Sequence, residues 1–322
     1  MAGSRCVYWY TSRAPPWRGT ISEKLMRITM LGTGAAFVEP DRAQSGILVT
    51  LDSGRHYLLD CGAGITRNLV RANVSPAEVS AVFLTHLHHD HVCDFPLFVI
   101  TGWMWDRADA PVVIGPPGTT HFFRHLFEDG AFQADFQARS HYPRRRANIV
   151  AMRPKVLECR PGLAYEDEHA KIHCDWVEHI PREITQCFGL RLEAEGKVLA
   201  FSGDTAPCEA MVTLARGADL LIHECTFPES FIEHRKKTGV GIFAHTSPTE
   251  LGRIASRAEV KRLVPTHFGH FDCTAPLIKR VARHHFPVEQ MGPHLMDEVV
   301  RDIRKHYAGP LQLAADLLRI DI

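Results

Sequence analysis

The sequence predicts an α/β protein built as one layered domain. Short β-type runs alternate with helical stretches along most of the 322 residues. Hairpin signals and strand–helix units occur in both halves, and no linker separates them. No self-similarity is visible at a period of roughly 20–50 residues, which sets repeat architectures aside. Two β-rich halves, each covered by helices, are therefore expected to pack on one another.

The first strand covers residues 27–32 and stops at Gly32-Thr33-Gly34. Residues 45–51 and 56–59 follow as strands, joined by the turn Asp52-Ser53-Gly54. Asp60-Cys61-Gly62-Ala63-Gly64 then leads into a helix at residues 65–71. Residues 82–84 form a strand, 95–105 a helix, and 112–114 a strand ahead of Gly115-Pro116-Pro117-Gly118. Between residues 119 and 170 the clear periodicity is helical, at 121–127; residues 144–146 and 154–161 read as irregular. Strands resume at 172–177, 188–192 and 198–201, before a helix at 210–216 and a strand at 220–222. Pro248 can open a helix over 248–257 at its first turn. A strand at 263–264, a helix at 275–285, residues 311–318 and a final Leu-Arg-Ile-Asp-Ile run complete the chain.

Lysine plus arginine and aspartate plus glutamate both number 37, so no global charge marks the chain for nucleic acid or anionic membrane. Nine cysteines at irregular spacing, without C-x-x-C, argue against a disulfide framework or structural zinc site and for reduced thiols in a cytoplasm. No apolar run is long enough to span a bilayer. Residues 1–25 lack the apolar region of a secretory signal and are expected to form a mobile extension, with the fold occupying 26–322.

The most informative stretch is Thr85-His86-Leu87-His88-His89-Asp90-His91, an H-x-H-x-D-H pattern directly after an apolar strand. A strand alone sends alternate side chains to opposite faces, so these donors converge only where it gives way to a loop and helix. One such cluster does not complete a two-metal site, because each zinc takes about four donors. Three later residues stand near strand ends and can supply the rest: His179, Asp204 in Ser202-Gly203-Asp204-Thr205, and His267 in Thr266-His267-Phe268. His245, in Ala244-His245-Thr246-Ser247, can bring a further imidazole to the same rim.

In this series the chain resembles the metallo-β-lactamase superfamily, and within it the ribonuclease Z branch. The matching residues also include Leu31-Gly32-Thr33-Gly34, Leu59-Asp60-Cys61-Gly62, Gly115-Pro116-Pro117-Gly118, His223-Glu224-Cys225-Thr226-Phe227 and His245-Thr246-Ser247. The resemblance implies an αββα sandwich with metals at one edge. It implies that His86, His88 and His179 hold one zinc, that Asp90, His91 and His267 hold a second, and that Asp204 bridges them. Iron or manganese also suits these donors. It further implies a hydrolase using a metal-bridging hydroxide, with RNA 3′-end cleavage as the branch activity and a homodimer as the assembly. Asp90 and His245 are the candidate catalytic residues, His245 for hydrogen-bonding the substrate oxygen or protonating a leaving group; Asp60 and Glu224 are candidates for orienting imidazoles.

Two departures bear on the substrate. The segment between His179 and Asp204 is long enough for a hairpin and not for a tRNA-gripping arm, and Gly269-His270-Phe271-Asp272 replaces the branch's Ser-x-Arg-Tyr. Gly203-Asp204-Thr205-Ala206-Pro207, Ala218-Asp219-Leu220 and Tyr307-Ala308-Gly309-Pro310-Leu311 resemble armless relatives: a metagenomic metallo-β-lactamase and guanitoxin-biosynthesis hydrolases. A small-molecule β-lactam, lactone or ester is therefore the alternative substrate. Arg144-Arg145-Arg146 reads as a solvated face, Trp103-Met104-Trp105 largely as core, and His121, His125, His284 and His285 as helix-surface residues.

Overall fold

A computed structural model of the chain describes residues 25–239, 244–283 and 286–322. Residues 1–24 of the expected extension, and the end of the helix expected at 275–285, lie outside them. The first sheet contains β1 (Arg27–Gly32), β2 (Gly46–Thr50), β3 (His56–Leu59), β4 (Val79–Phe83), β5 (Val112–Gly115) and β6 (Lys155–Glu158). The second contains β7 (Gly162–Glu166), β8 (Ala170–Trp176), β9 (Phe188–Ala194), β10 (Lys197–Phe201), β11 (Leu220–Glu224) and β12 (Leu263–Thr266). The last strand, β13 (Arg319–Asp321), returns to pair with β1 in the first sheet, giving the orders β13-β1-β2-β3-β4-β5-β6 and β12-β11-β10-β9-β8-β7.

Alternation along the strands explains the layering. In β2, Ile47 and Val49 enter the core between the sheets, while Leu48 joins an outer cluster. Tyr57 and Leu59 against Leu58 in β3, and Ala81 and Phe83 against Val82 in β4, repeat the pattern. The inner faces meet Ile172, Phe188, Leu190 and Leu192 of the second sheet. Outside the first sheet, Ile65 and Leu69 pack with Phe95, Phe98, Val99 and Trp103 of the helix Phe95–Met104. The helices Glu209–Ala215, Pro248–Arg257 and His294–Ile303 cover the second sheet. The arrangement is the expected αββα sandwich.

Several local readings change. Residues 154–161 are not irregular throughout: Lys155–Glu158 pairs in parallel with β5 as an edge strand. Residues 144–146 lie in a short helix, Pro143–Ala147, on which Arg144 and Arg146 are solvated as expected and Arg145 is partly covered. Arg145 donates to the carbonyls of Trp103 and Met104 at the C-terminus of the helix Phe95–Met104, and Arg144 pairs with Asp106. Trp103 is fully buried, whereas Trp105 is about half exposed. His121 and His125 are exposed, as expected. Among the described residues, no helix is long and apolar enough to cross a membrane.

Strand direction positions the site. β8 and β9 are antiparallel, as are β9 and β10, while β10, β11 and β12 run parallel. Hence β8, β10, β11 and β12 all end at one edge. β3 and β4, also parallel, end with Asp60 and the His86–His91 segment just beyond them. Carboxyl ends of strands are where open α/β sheets place their ligands.

Candidate metal centre

β4 delivers Thr85 and His86, and the helical turn His89–Val92 swings Asp90 and His91 back toward His86. His179 follows β8, Asp204 follows β10 and His267 follows β12. Their ligand atoms form two groups, His86, His88, His179 and Asp204, and Asp90, His91, Asp204 and His267, each with all atoms within 4.8 Å of one another. All seven expected donors thus come together. Asp204 belongs to both groups: its Oδ2 lies 3.7 Å from His179 Nε2, and its Oδ1 lies 3.4 Å from His91 Nε2 and 3.3 Å from His267 Nε2.

Buried carboxylates hold the imidazoles in place. Asp60 is wholly buried; it accepts from the Thr85 amide at 2.8 Å and stands 2.7 Å from His91 Nδ1. Thr85 Oγ1 lies 3.1 Å from His86 Nδ1, extending the same chain of contacts. Both Asp60 and His267 adopt positive φ, at 60° and 58°, a backbone state uncommon outside glycine and recurrent at functional sites. Glu224 accepts from the amides of Thr205, Thr226 and Thr246, from Thr226 Oγ1, and pairs with His245 Nδ1 at 2.9 Å. Although Glu224, His245 and His267 also cluster, Glu224 is already saturated by these donors and reads as an orienting group. Thr226, given no role from the sequence, joins Glu224 to His267 Nδ1 at 3.0 Å. An acid followed two residues later by threonine at a strand end was its one visible signal.

The donor set fits a divalent cation. His86 Nε2 and Asp204 Oδ1 are buried without a hydrogen-bond partner. His179 Nε2 lies 3.1 Å from His88 Nδ1 and His91 Nε2 lies 3.3 Å from His267 Nε2, contacts in which two lone pairs oppose each other unless a proton or metal intervenes. Three buried carboxylates, Asp60, Asp90 and Asp204, face this cluster, and no described lysine or arginine pairs with them. Without a metal, histidine must balance them. Burial opposes a charged His91, but Asp204, Asp60 and Asp90 outweigh it and raise its pKa well above the ordinary value. Burial tends to raise Asp204, yet His267 and His91 hold it well below the carboxylate range. Burial keeps His86, His88 and His179 low, ready to act as neutral ligands. At His245 burial is overcome by Glu224, and the pKa is raised.

The chain is similar to known proteins in sequence and in fold. The sequence profile of the family described as "Anti-Pycsar protein Apyc1" matches residues 26–237. A ribonuclease Z of Mycobacterium bovis is 28% identical over 303 residues, covering 92% of this chain and 99% of its own. The Mycobacterium marinum ribonuclease Z is 34% identical over 252 residues, 76% of this chain and 86% of its own. The metallo-β-lactamase fold protein YhfI from Bacillus subtilis superposes with a TM-score of 0.68 at 20% identity, covering 93% of this chain and 100% of its own.

Proposed function

Given that the chain belongs to the Apyc1 family and to the ribonuclease Z-like metallo-β-lactamase superfamily, and is a metal-dependent hydrolase, we propose that it is a two-zinc phosphodiesterase acting on RNA 3′ ends. One observation carries the two-ion reading: Asp204 is shared by two compact donor groups. His86, His88 and His179 would hold one ion, Asp90, His91 and His267 the other, with Asp204 between them. Two bound zinc ions supply Lewis acidity toward a substrate oxygen and bring a water's pKa near neutrality.

The chain's own groups do the rest. Asp60 fixes the His91 ring from behind, and Thr226 does the same for His267. Asp90, whose Oδ2 lies 3.2 Å from His267 Nε2, contributes negative charge that burial alone would suppress and His91 and His267 preserve. With His245 Nδ1 engaged by Glu224, the Nε2 proton is left to pass to the departing oxygen. Glu224 stabilises the protonated ring before that transfer, the task a buried carboxylate performs behind a catalytic imidazole.

A second reading, hydrolysis of a small ester, lactone or β-lactam, is favoured by a specific feature. The segment from His179 to Asp204 holds only the hairpin β9–β10, and Arg144 and Arg145 are engaged by Asp106 and helix carbonyls. Zinc-loaded protein assayed in parallel on a pre-tRNA 3′ trailer, bis(p-nitrophenyl) phosphate and nitrocefin separates the two. Trailer and diester cleavage that vanishes with Asp204→Ala supports the first; nitrocefin turnover alone supports the second. A homodimer belongs to the same proposal, and sedimentation of the purified chain tests it.

A further inference from the structure

We propose that Arg235 receives a non-bridging phosphoryl oxygen of the substrate at the edge of the metal centre, an inference that rests on the phosphodiesterase reading above. Arg235 lies on the short helix Ile232–Thr238 and is only 3% exposed. Its Nε is buried without a partner, and among the described residues no carboxylate or carbonyl accepts from the guanidinium. Arg107, the other deeply buried arginine, also has an unpartnered Nε, but its two Nη atoms donate to the carbonyls of Val79 and Pro76, whereas no described group accepts from those of Arg235. Arg42 is likewise matched, by Asp272 and Glu39. An unmatched buried guanidinium is costly to keep, so an anion that visits the site is the natural complement.

Its surroundings show where that anion would sit. The Phe227 ring covers one face of the guanidinium, 3.2 Å from its centroid, which leaves the N–H edge free to donate. Arg235, Phe227, Ile232, His245, Thr246 and Ser247 line a cavity of about 40 Å³. That space accommodates about three water-sized groups, the scale of a phosphoryl group's oxygens. His245 opens onto the same cavity, so an anion held there adjoins the group assigned to proton delivery. The nearby Glu224 does not occupy Arg235, because its oxygens serve Thr205, Thr226, Thr246 and His245. Burial lowers the Arg235 pKa to about 10, which keeps it charged at neutral pH. Its planar fork offers paired donors that suit two oxygens of one phosphoryl group.

The test uses full-length, zinc-loaded protein carrying Arg235→Gln or Arg235→Lys. Its readouts are kinetics on bis(p-nitrophenyl) phosphate and uncharged p-nitrophenyl acetate, inhibition by inorganic phosphate, and metal content. Arg235→Gln is expected to lower kcat/KM for the diester about ten- to hundredfold, mainly through KM, and to weaken phosphate inhibition similarly. The loss on the uncharged ester should be at least about tenfold smaller, with Arg235→Lys intermediate. Equal losses on both substrates, or unchanged phosphate inhibition, overturn the proposal. Stronger Arg235-dependent inhibition by acetate than by phosphate overturns the phosphoryl assignment in favour of a carboxylate. If wild-type protein cleaves no diester yet binds phosphate calorimetrically in an Arg235-dependent way, the phosphodiesterase reading fails while the anion site stands. Should Arg235→Gln not fold, Arg235→Lys and its phosphate inhibition decide the matter.

Discussion

Asp60 Oδ2 stands 2.7 Å from His91 Nδ1, and neither side chain is exposed to solvent. The pair fixes which His91 nitrogen faces Asp90, Asp204 and His267, since the other is committed to Asp60. Asp60→Asn is expected to weaken zinc binding about 10- to 100-fold, measured by chelator competition. Unchanged affinity would show that Asp60 serves the fold alone.

His245 should act as an acid whose strength Glu224 sets. A group that must be protonated loses activity as pH rises through its pKa, and Glu224 raises that pKa by favouring the charged ring. Glu224→Gln therefore should move the alkaline limb of the kcat profile to lower pH. His245→Ala should reduce kcat about 10²- to 10⁴-fold with metal content intact, and most for substrates with poor leaving groups. A flat response to leaving-group pKa in wild type and variant alike would count against proton donation.

Metal removal should destabilise the whole domain. An empty centre leaves buried carboxylates and unpartnered ring nitrogens behind, and a metal whose donors converge only in the folded chain would stabilise that state. Returning zinc to stripped protein, at a free concentration about 100 times its Kd, should add about 2.7 kcal/mol, seen as a rise in Tm. Identical melting curves with and without zinc contradict this.

Gly62 is a backbone requirement of the centre. A Cβ there would lie 2.0 Å from the carbonyl oxygen of Asp90, and backbone cannot step aside as a flexible side chain can. Gly62→Ala should cost about 1–3 kcal/mol and lower zinc occupancy by displacing Asp90 and His91, read by denaturant melts and elemental analysis. Full occupancy at wild-type stability would disprove the link.

Asp204→Ala removes the one residue common to both donor groups. Zinc stoichiometry should fall and hydrolysis should drop to background, checked on the same preparation by elemental analysis and turnover. Full zinc occupancy in the variant would refute a bridging role.

The donors were legible in proportion to how local their signal is. His86, His88, Asp90 and His91 sit in one stretch, so their type and spacing sufficed. His179, Asp204 and His267 were readable because each follows a short apolar strand, and parallel strands bring such ends to one edge. Thr226 and Arg235 were not readable as site residues, since what defines them is a contact across the fold or the lack of one. In the fold, Lys155–Glu158 was obscured by charged residues at both ends and flanking prolines, which edge strands tolerate. The helix Gln133–Ser140 buries no residue and so carries little apolar pattern to read. By contrast, Leu295, Val299 and Ile303 mark a buried helical stripe in His294–Ile303 that spacing alone could have revealed.

His86 to His91 extend from one sheet, while His179, Asp204 and His267 extend from the other. The spacing of the two donor groups is thereby tied to how the sheets seat against each other through Tyr57, Phe83 and Phe188. Trimming one of those rings, none of which supplies a donor atom, would let the layers slip and alter how the two groups face each other. The hydrophobic interior works here as the jaw setting of a vice.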